Sequence, residues 1–473
     1  MSSPAPVAGA PAGRRYGQQL ARTLRVAGNM AITVSVIGPA ASVFAIGSVA
    51  LRQQGSGAFL AFVVAALLSG CLAVGWAELG ALYPTAGGLY GIVARVLGRR
   101  AGFLALALQL VLFVIVPSAF ALGAGQYVAA VWPAISPRAA ALVMLAAATA
   151  LAVAGIRFNA AVTAVLLALE LAIIGVVAAL GFANADWSLA GTLVDPVSYG
   201  PDGGAAPVSL GMLLAGVVLG LGAYAGYGGA VIFAEETQGP RRGIARAVLG
   251  ALGVAVAAEL LAIAGALVGA PSQAQLLAAP APMAYLVRAL GGDRLVSVLT
   301  VALVATFFNL LLAVLLEYAR ILYSSGRDRA WPEPVSRALG RIHPTTRTPV
   351  VATLAIGLAA LVLTAVSDYA AAVTFASLTV VLTFALLALS ALASRHQQPD
   401  LERPYRMPGW PLTPLVALAG VAVTVSLQTA KDLAIVAGVL AAGLIYERAY
   451  LRPRPTTHWI LLDPPIDEPE VGD

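Results

Sequence analysis

Apolar residues run along this chain in blocks of about 20, the length a helix needs to cross the hydrocarbon core of a bilayer. Twelve blocks can be drawn, at 26–51, 58–82, 102–131, 138–155, 159–182, 209–236, 244–269, 295–323, 349–366, 369–393, 412–429 and 431–450. The third and eighth are long enough to tilt. One stretch, 219–246, stands apart. It begins as apolar helix, loses helical character across Ala223-Tyr224-Ala225-Gly226-Tyr227-Gly228-Gly229, resumes as AVIFA, and ends in Glu235 and Glu236 followed by GPRR. Each glycine there weakens helix by about 1 kcal/mol relative to alanine. Irregular backbone at membrane depth survives only where it lines a cavity or is buried in protein, because lipid offers no hydrogen bonds. Helices broken in this way form the substrate sites of many secondary transporters.

The first block carries its own interruption, Ile37-Gly38-Pro39-Ala40-Ala41-Ser42. Proline removes a backbone donor and glycine admits unusual dihedrals. The first and sixth blocks lie five spans apart, enter the bilayer from opposite sides and both break near mid-depth. The pattern therefore predicts an all-α integral membrane protein of about twelve transmembrane helices, with an inverted five-plus-five repeat and broken helices 1 and 6. The units follow: a cytoplasmic tail 1–25, repeat one 26–182, an extracellular loop 183–208, repeat two 209–393, a connecting loop with the last two spans 394–450, and a cytoplasmic tail 451–473.

Composition agrees. Hydrophobic residues make up 60% of the chain and charged residues 11%, against about 50% and 25% in soluble domains. With the N-terminus inside, 23 of the 28 basic residues fall on the cytoplasmic side, which predicts both termini inside and residence in the cytoplasmic membrane. The sequence pI of 9.6 does not imply nucleic acid, since the arginines are spread over short loops and not gathered in a stripe. Cys71 sits in an apolar block and His343, His396 and His458 in polar segments, so neither a disulfide nor a metal site is expected, and no cofactor motif is present. Of the connections, 84–100 is too polar to span and is expected to pack along the inner face. Ser324 to Thr348 reads as a short helix and a turn.

Four stretches carry a resemblance. AELGALYPTAGGLYGIVARVLGRRAGF (77–103) resembles the second-helix signature of the amino acid–polyamine–organocation (APC) superfamily permeases, and FAEETQGPRRGIARAV (233–248) their sixth-helix ending. YSSGRDRAWPEPVSRALGRIHPTTRTPVVA (323–352) is similar to their loop between helices 8 and 9, and RPYRMPGWPLTPLVAL (403–418) to their lead-in to helix 11. The resemblance implies a substrate cradle at the two breaks, built from Gly38, Ala40, Ala41 and Ser42 of helix 1 and Tyr224, Gly226, Tyr227 and Gly228 of helix 6. In that cradle, N–H groups near Ala41, Ser42 and Val43, and near Gly229 and Ala230, are expected to hold a carboxylate. Carbonyls around Ile37 and Tyr224 are expected to hold an ammonium. Two departures bear on the substrate: Ala40-Ala41-Ser42 replaces a glycine-rich triplet, and Gly228 stands where many members place an acid, which points to a neutral amino acid.

Glu170, in the middle of helix 5, is the sharpest single residue, since an ionisable group inside the membrane is a functional hypothesis by default. Together with Asn309 of helix 8 it is expected to carry proton coupling, with sodium as the alternative ion. Glu78, Glu235 and Glu236 lie toward the inner helix ends, where they are expected to pair with loop arginines as an inner gate. Glu259 reads as a structural polar contact, Glu317 as the ion-pair partner of Arg320 three residues on, and Gln109 as interhelical glue. The sequence thus predicts a secondary active permease moving an amino acid or related small amine by alternating access. The alternatives are an exchanger without proton coupling and a permease-like nutrient sensor. No catalytic cluster is present, so an enzyme is not expected.

Overall fold

A computed structural model describes residues 16–463 apart from 18–19, 200–203, 368 and 427. The chain opens with α1 (Val26–Ile37), α2 (Pro39–Ser42), a π-helical turn Val43–Gly47 and α3 (Ser48–Gln54), which form one bent run. Next come α4 (Gly57–Leu82), α5 (Gly88–Val96), α6 (Arg99–Val131), α7 (Pro137–Ala152) and α8 (Ile156–Ala183). The segment predicted as a loop folds into α9 (Leu189–Val194) and an antiparallel pair, β1 (Val197–Tyr199) with β2 (Ala205–Pro207). The chain continues through α10 (Leu210–Ala223), α11 (Gly229–Ile232), a tight 3-10 turn Phe233–Glu236, α12 (Pro240–Gly269) and α13 (Gln273–Ala278). It closes with α14 (Pro282–Arg327), α15 (Glu333–Leu339), α16 (Val350–Val366), α17 (Tyr369–Gln397), α18 (Leu412–Ser426) and α19 (Ala430–Tyr446).

Among the described residues, eight helical runs are long and apolar enough to cross a bilayer, and four shorter apolar helices, α7, α10, α16 and α18, occupy the remaining predicted blocks. The broken run 26–54 and α12 stand at the centre: α12 packs on α4, α8 and α1, and α1 also on α8 and α14. The outer surface is studded with apolar side chains such as Leu67, Val143, Val165, Leu358 and Ile445, each at least 60% exposed. In water such a belt would aggregate; facing acyl chains it costs nothing.

One connection departs from expectation. The segment 84–100 does not lie along a face. Its helix α5 is buried almost throughout, with Leu89, Tyr90, Ile92 and Val93 no more than 2% exposed, and it packs between α6 and α17. Its core, LYGIVARV, is apolar around most of its circumference, so burial is the favourable outcome even though it is too short to span.

Candidate functional site: a cavity where two broken spans meet

The break in the first span is a single residue. Gly38 takes φ 64° and ψ 63°, its N–H closing on Val34 O, and Pro39 opens the next helical piece. Left-handed backbone is cheap only for glycine, and proline at a first helical position loses no needed donor. The second break is longer, running from Tyr224 to Gly228 between α10 and α11, with Gly226 at φ 122°. The two breaks touch. A methyl on Gly226 would lie 3.0 Å from Val36 Cγ1 and 3.1 Å from the Ile37 nitrogen. The Ser42 hydroxyl donates across the contact to the Ala223 carbonyl at 3.1 Å, with the Ile37 carbonyl 3.3 Å away.

Beside this contact lies a cavity of about 220 Å³ lined by Ala41, Ser42, Gly226, Tyr227 and Gly228 together with apolar and aromatic side chains of α4, α6, α14 and α17. Trp76 packs over Gly228, where a methyl would sit 2.7 Å from its ring, and Tyr227 stacks on Phe384 with centroids 6.4 Å apart. Three residues expected at the cradle do not line the cavity. Gly38 faces Leu310, and Ala40 gives its N–H to Glu170. Tyr224 is fully buried with its ring edge-on to Phe62, because its bulk is accommodated between spans, away from the opening. Nor are the backbone donors as open as expected. Ser42 N–H bonds Gly38 O, Gly229 N–H bonds Gly226 O and Val231 N–H bonds Gly228 O, while Val43 N–H closes on Ala40 and Pro39 carbonyls. The first-turn N–H groups not taken in this way are those of Ala41 and Ala230.

Glu170 is fully buried on α8, and its Oε1 accepts the Ala40 N–H at 2.9 Å. Asn309 stands next to it and donates from Nδ2 to Ser35 Oγ at 2.9 Å. Glu170 Oε2 and Asn309 Oδ1 have no protein partner. The pair thus adjoins the back of the first break without opening onto the cavity. Two other acids behave differently from expectation. Glu259, on α12, has neither oxygen bonded, so it makes no structural polar contact. Glu317 is not paired with Arg320; that guanidinium turns to Glu236, and Glu317 lines the cavity with Oε2 unpartnered. Gln109 likewise lines the cavity with a bare Oε1 in place of an interhelical bond. The i, i+3 spacing of Glu317 and Arg320 concealed this. The signal available was that Glu235 and Glu236 also need arginines.

At the end of the bundle that bears both tails, the three predicted gate acids are all held by guanidinium groups. Glu78 binds Arg395 and Arg403 and accepts the Met407 N–H at 2.6 Å. Glu235 takes Arg327 through both oxygens at 2.7 and 2.8 Å and also accepts the Ala86 N–H. Glu236 binds Arg320 through both oxygens, with both side chains essentially inaccessible. Only Arg403 of these partners comes from a loop; Arg320, Arg327 and Arg395 belong to α14 and α17. Below them the tails dock. The Arg327 guanidinium lies 3.7 Å from the centroid of the Tyr16 ring. Tyr16 and Tyr90 donate their hydroxyls to Asp328 at 2.6 and 2.9 Å. Burial pushes the Asp328 carboxyl above its ordinary range, against the pull of Arg327 and of the two hydroxyls. Trp459 inserts beside them, its indole N–H on the Arg99 carbonyl, and Tyr16 N–H bonds Asp463 O at 3.1 Å.

Two broken helices thus meet beside one cavity, and arginine–carboxylate pairs tie the end of the bundle that bears the tails. A family model described as amino acid permease matches residues 26–445. The chain belongs to the amino acid permease family. Its fold and motifs are consistent with the APC superfamily, and the permease is a multi-pass membrane transporter, not an enzyme. It is 33% identical over 87% of both chains to an uncharacterized transporter of Mycobacterium tuberculosis. It is 23% identical to the branched-chain amino acid permease of Bacillus subtilis, over 77% of this chain and 79% of that one. It is 26% identical to the vacuolar cationic amino acid transporter 2 of Arabidopsis thaliana, over 82% and 62%.

Proposed function

We propose that this permease is a secondary active transporter carrying an amino acid or small amine by alternating access, with proton coupling at Glu170. The observation that carries the reading is the meeting of the two breaks at one cavity, joined by the Ser42 hydroxyl. All twelve apolar helices cross the cytoplasmic membrane as an inverted five-plus-five repeat with both termini inside. The paired acids Glu78, Glu235 and Glu236 act as the inner gate. Coupling follows from one bond. An ionised Glu170 holds the Ala40 N–H tightly, as charge-assisted bonds do; on protonation the hold slackens and Oε2–H turns to Asn309 Oδ1, which now lacks a donor. Ala40 adjoins Ala41 on the cavity wall, so the proton and the solute bias the same break. The apolar lining and the name of the Bacillus relative both support a solute with an apolar body.

The test is counterflow in proteoliposomes with radiolabelled amino acids and amines, followed by concentrative uptake with and without a proton gradient. Glu170→Gln is expected to abolish accumulation against a gradient while retaining exchange. Unchanged accumulation in the variant would remove Glu170 from coupling, and absence of counterflow for every solute would overturn the permease mechanism.

A further inference from the structure

We infer that Glu317 is the cation-binding group of the central cavity and that its ligand presents an unmodified ammonium on a compact apolar body. The inference deepens the proposal above, since it rests on the same cavity being the solute site. Glu317 is only 7% exposed, lines the cavity, and leaves Oε2 without a partner. The cation nearest in sequence, Arg320, is engaged by Glu236 and by the Leu316 carbonyl at 2.7 Å. Among the described residues no basic side chain lines the cavity. On the α6 wall, Gln109 presents a second bare acceptor, Oε1. Helices α6 and α14 pack together here, with the Phe113 and Tyr318 rings 5.0 Å apart.

Buried acceptors without donors are costly, and a lone buried carboxylate more so. An ammonium carries three donors and no acceptor, and so suits a lining whose bare polar atoms are acceptors. The aromatic residues Tyr318, Tyr227 and Trp76 in the lining also suit a cation. The position of Glu317 also sets the ligand's direction. A methyl on Gly229 would lie 3.0 Å from Glu317 Oε2, so the carboxylate fills the space at the first residue of α11. That end of the sixth-span break therefore repels an anion. The acid absent from Gly228 in the sixth span is supplied by α14 instead. An ammonium is the group this wall requires, and a carboxylate on the ligand is not, so simple apolar amines fit it as well as amino acids do.

The experiment measures melting temperature of the full chain in detergent with 3-methylbutylamine, the matching alcohol 3-methylbutanol and the acid 4-methylpentanoate. Ligand binding to the folded state raises the midpoint with concentration. The amine is expected to stabilise and the alcohol and acid are not. Glu317→Gln should raise the half-saturating amine concentration about tenfold or more, as for truncation of a buried charge pair, with Glu317→Asp recovering part of it. Should Glu317→Gln fail to fold, Gly229→Ala, which displaces the carboxyl without removing it, is expected to weaken the amine as well. Equal amine affinity in the variants, or no stabilisation of the wild type by the amine, would overturn the assignment. Amine binding lost in Glu317→Gln with no solute counterflow in vesicles would keep this site and retire the permease mechanism. Counterflow with unaltered amine binding in Glu317→Gln would do the reverse.

Discussion

Ser42 commits its one hydroxyl proton to the Ala223 carbonyl, so a residue of the cavity lining also fastens two spans. Ser42→Ala is expected to lower stability by about 1 kcal/mol, the net worth of one buried hydrogen bond. In denaturant or thermal melts the loss should appear without change in expression. Single side chains were legible in the sequence where one residue decided the matter. Glu170 is an acid within an unbroken apolar block, and its burial follows at once. Glu317 was not legible, because its partner was assigned along one helix while the real competition for Arg320 came from Glu236, 84 residues away. Spacing rules describe neighbours on a helix face; they are blind to a better partner arriving from another element. The same pairing supplies a second expectation. Glu236→Gln leaves Arg320 buried and unneutralised, and should destabilise by about 3–5 kcal/mol, visible as a sharply lower melting temperature.

Among elements, the apolar helices were legible because length and apolarity alone define them, and most begin and end near the predicted blocks, α14 starting well ahead of its block at Pro282. The breaks were legible too, from glycine and proline. Their internal geometry was not: the first closes within one residue, and of the N–H groups expected to be open those of Ser42, Val43 and Gly229 turn back on nearby carbonyls. The burial of α5 was missed for a related reason, since polarity along 84–100 forbade a span but did not forbid a short buried helix. Gly226→Ala tests the contact at this level. The substitution forces φ 122° on an L side chain and drives a methyl against the Ile37 backbone. Transport is expected to fall at least tenfold in counterflow, even where protein reaches the membrane. Gly38→Ala, strained by about 1–2 kcal/mol but facing the flexible end of Leu310, should be the milder of the two.

At the level of the whole molecule, the tail-bearing end is tied twice, by arginine–carboxylate pairs and by the contacts of Tyr16, Trp459 and Asp463. Removing residues 459–463 takes away Trp459, which is 1% exposed, and the backbone bonds to Asp328 and Arg329. The truncated chain is expected to admit solute faster from that side, measured as one-sided uptake into oriented vesicles. Docking should also depend on pH. The buried Asp328 has its pKa raised, so the docked form binds protons more readily than the undocked form. Its stability is then greatest at low pH and declines as pH rises past the ordinary aspartate value of about 3.9 toward the raised one. Protease clipping of the C-terminal tail should accordingly speed up from acid toward neutral pH. None of this docking was legible, because a tail of mixed prolines and acids gives no pattern of its own.

The bond between Tyr16 and Asp463 holds a residue near the start of the chain 3.1 Å from one near its end. Halves of a split luciferase fused at Tyr16 and at Asp463, in a chain trimmed back to those two residues, would therefore be presented side by side and should regain light emission whenever that bond is made. Such a fusion would turn opening and closing of the carrier into a luminescence signal read in living cells, without labelling the solute.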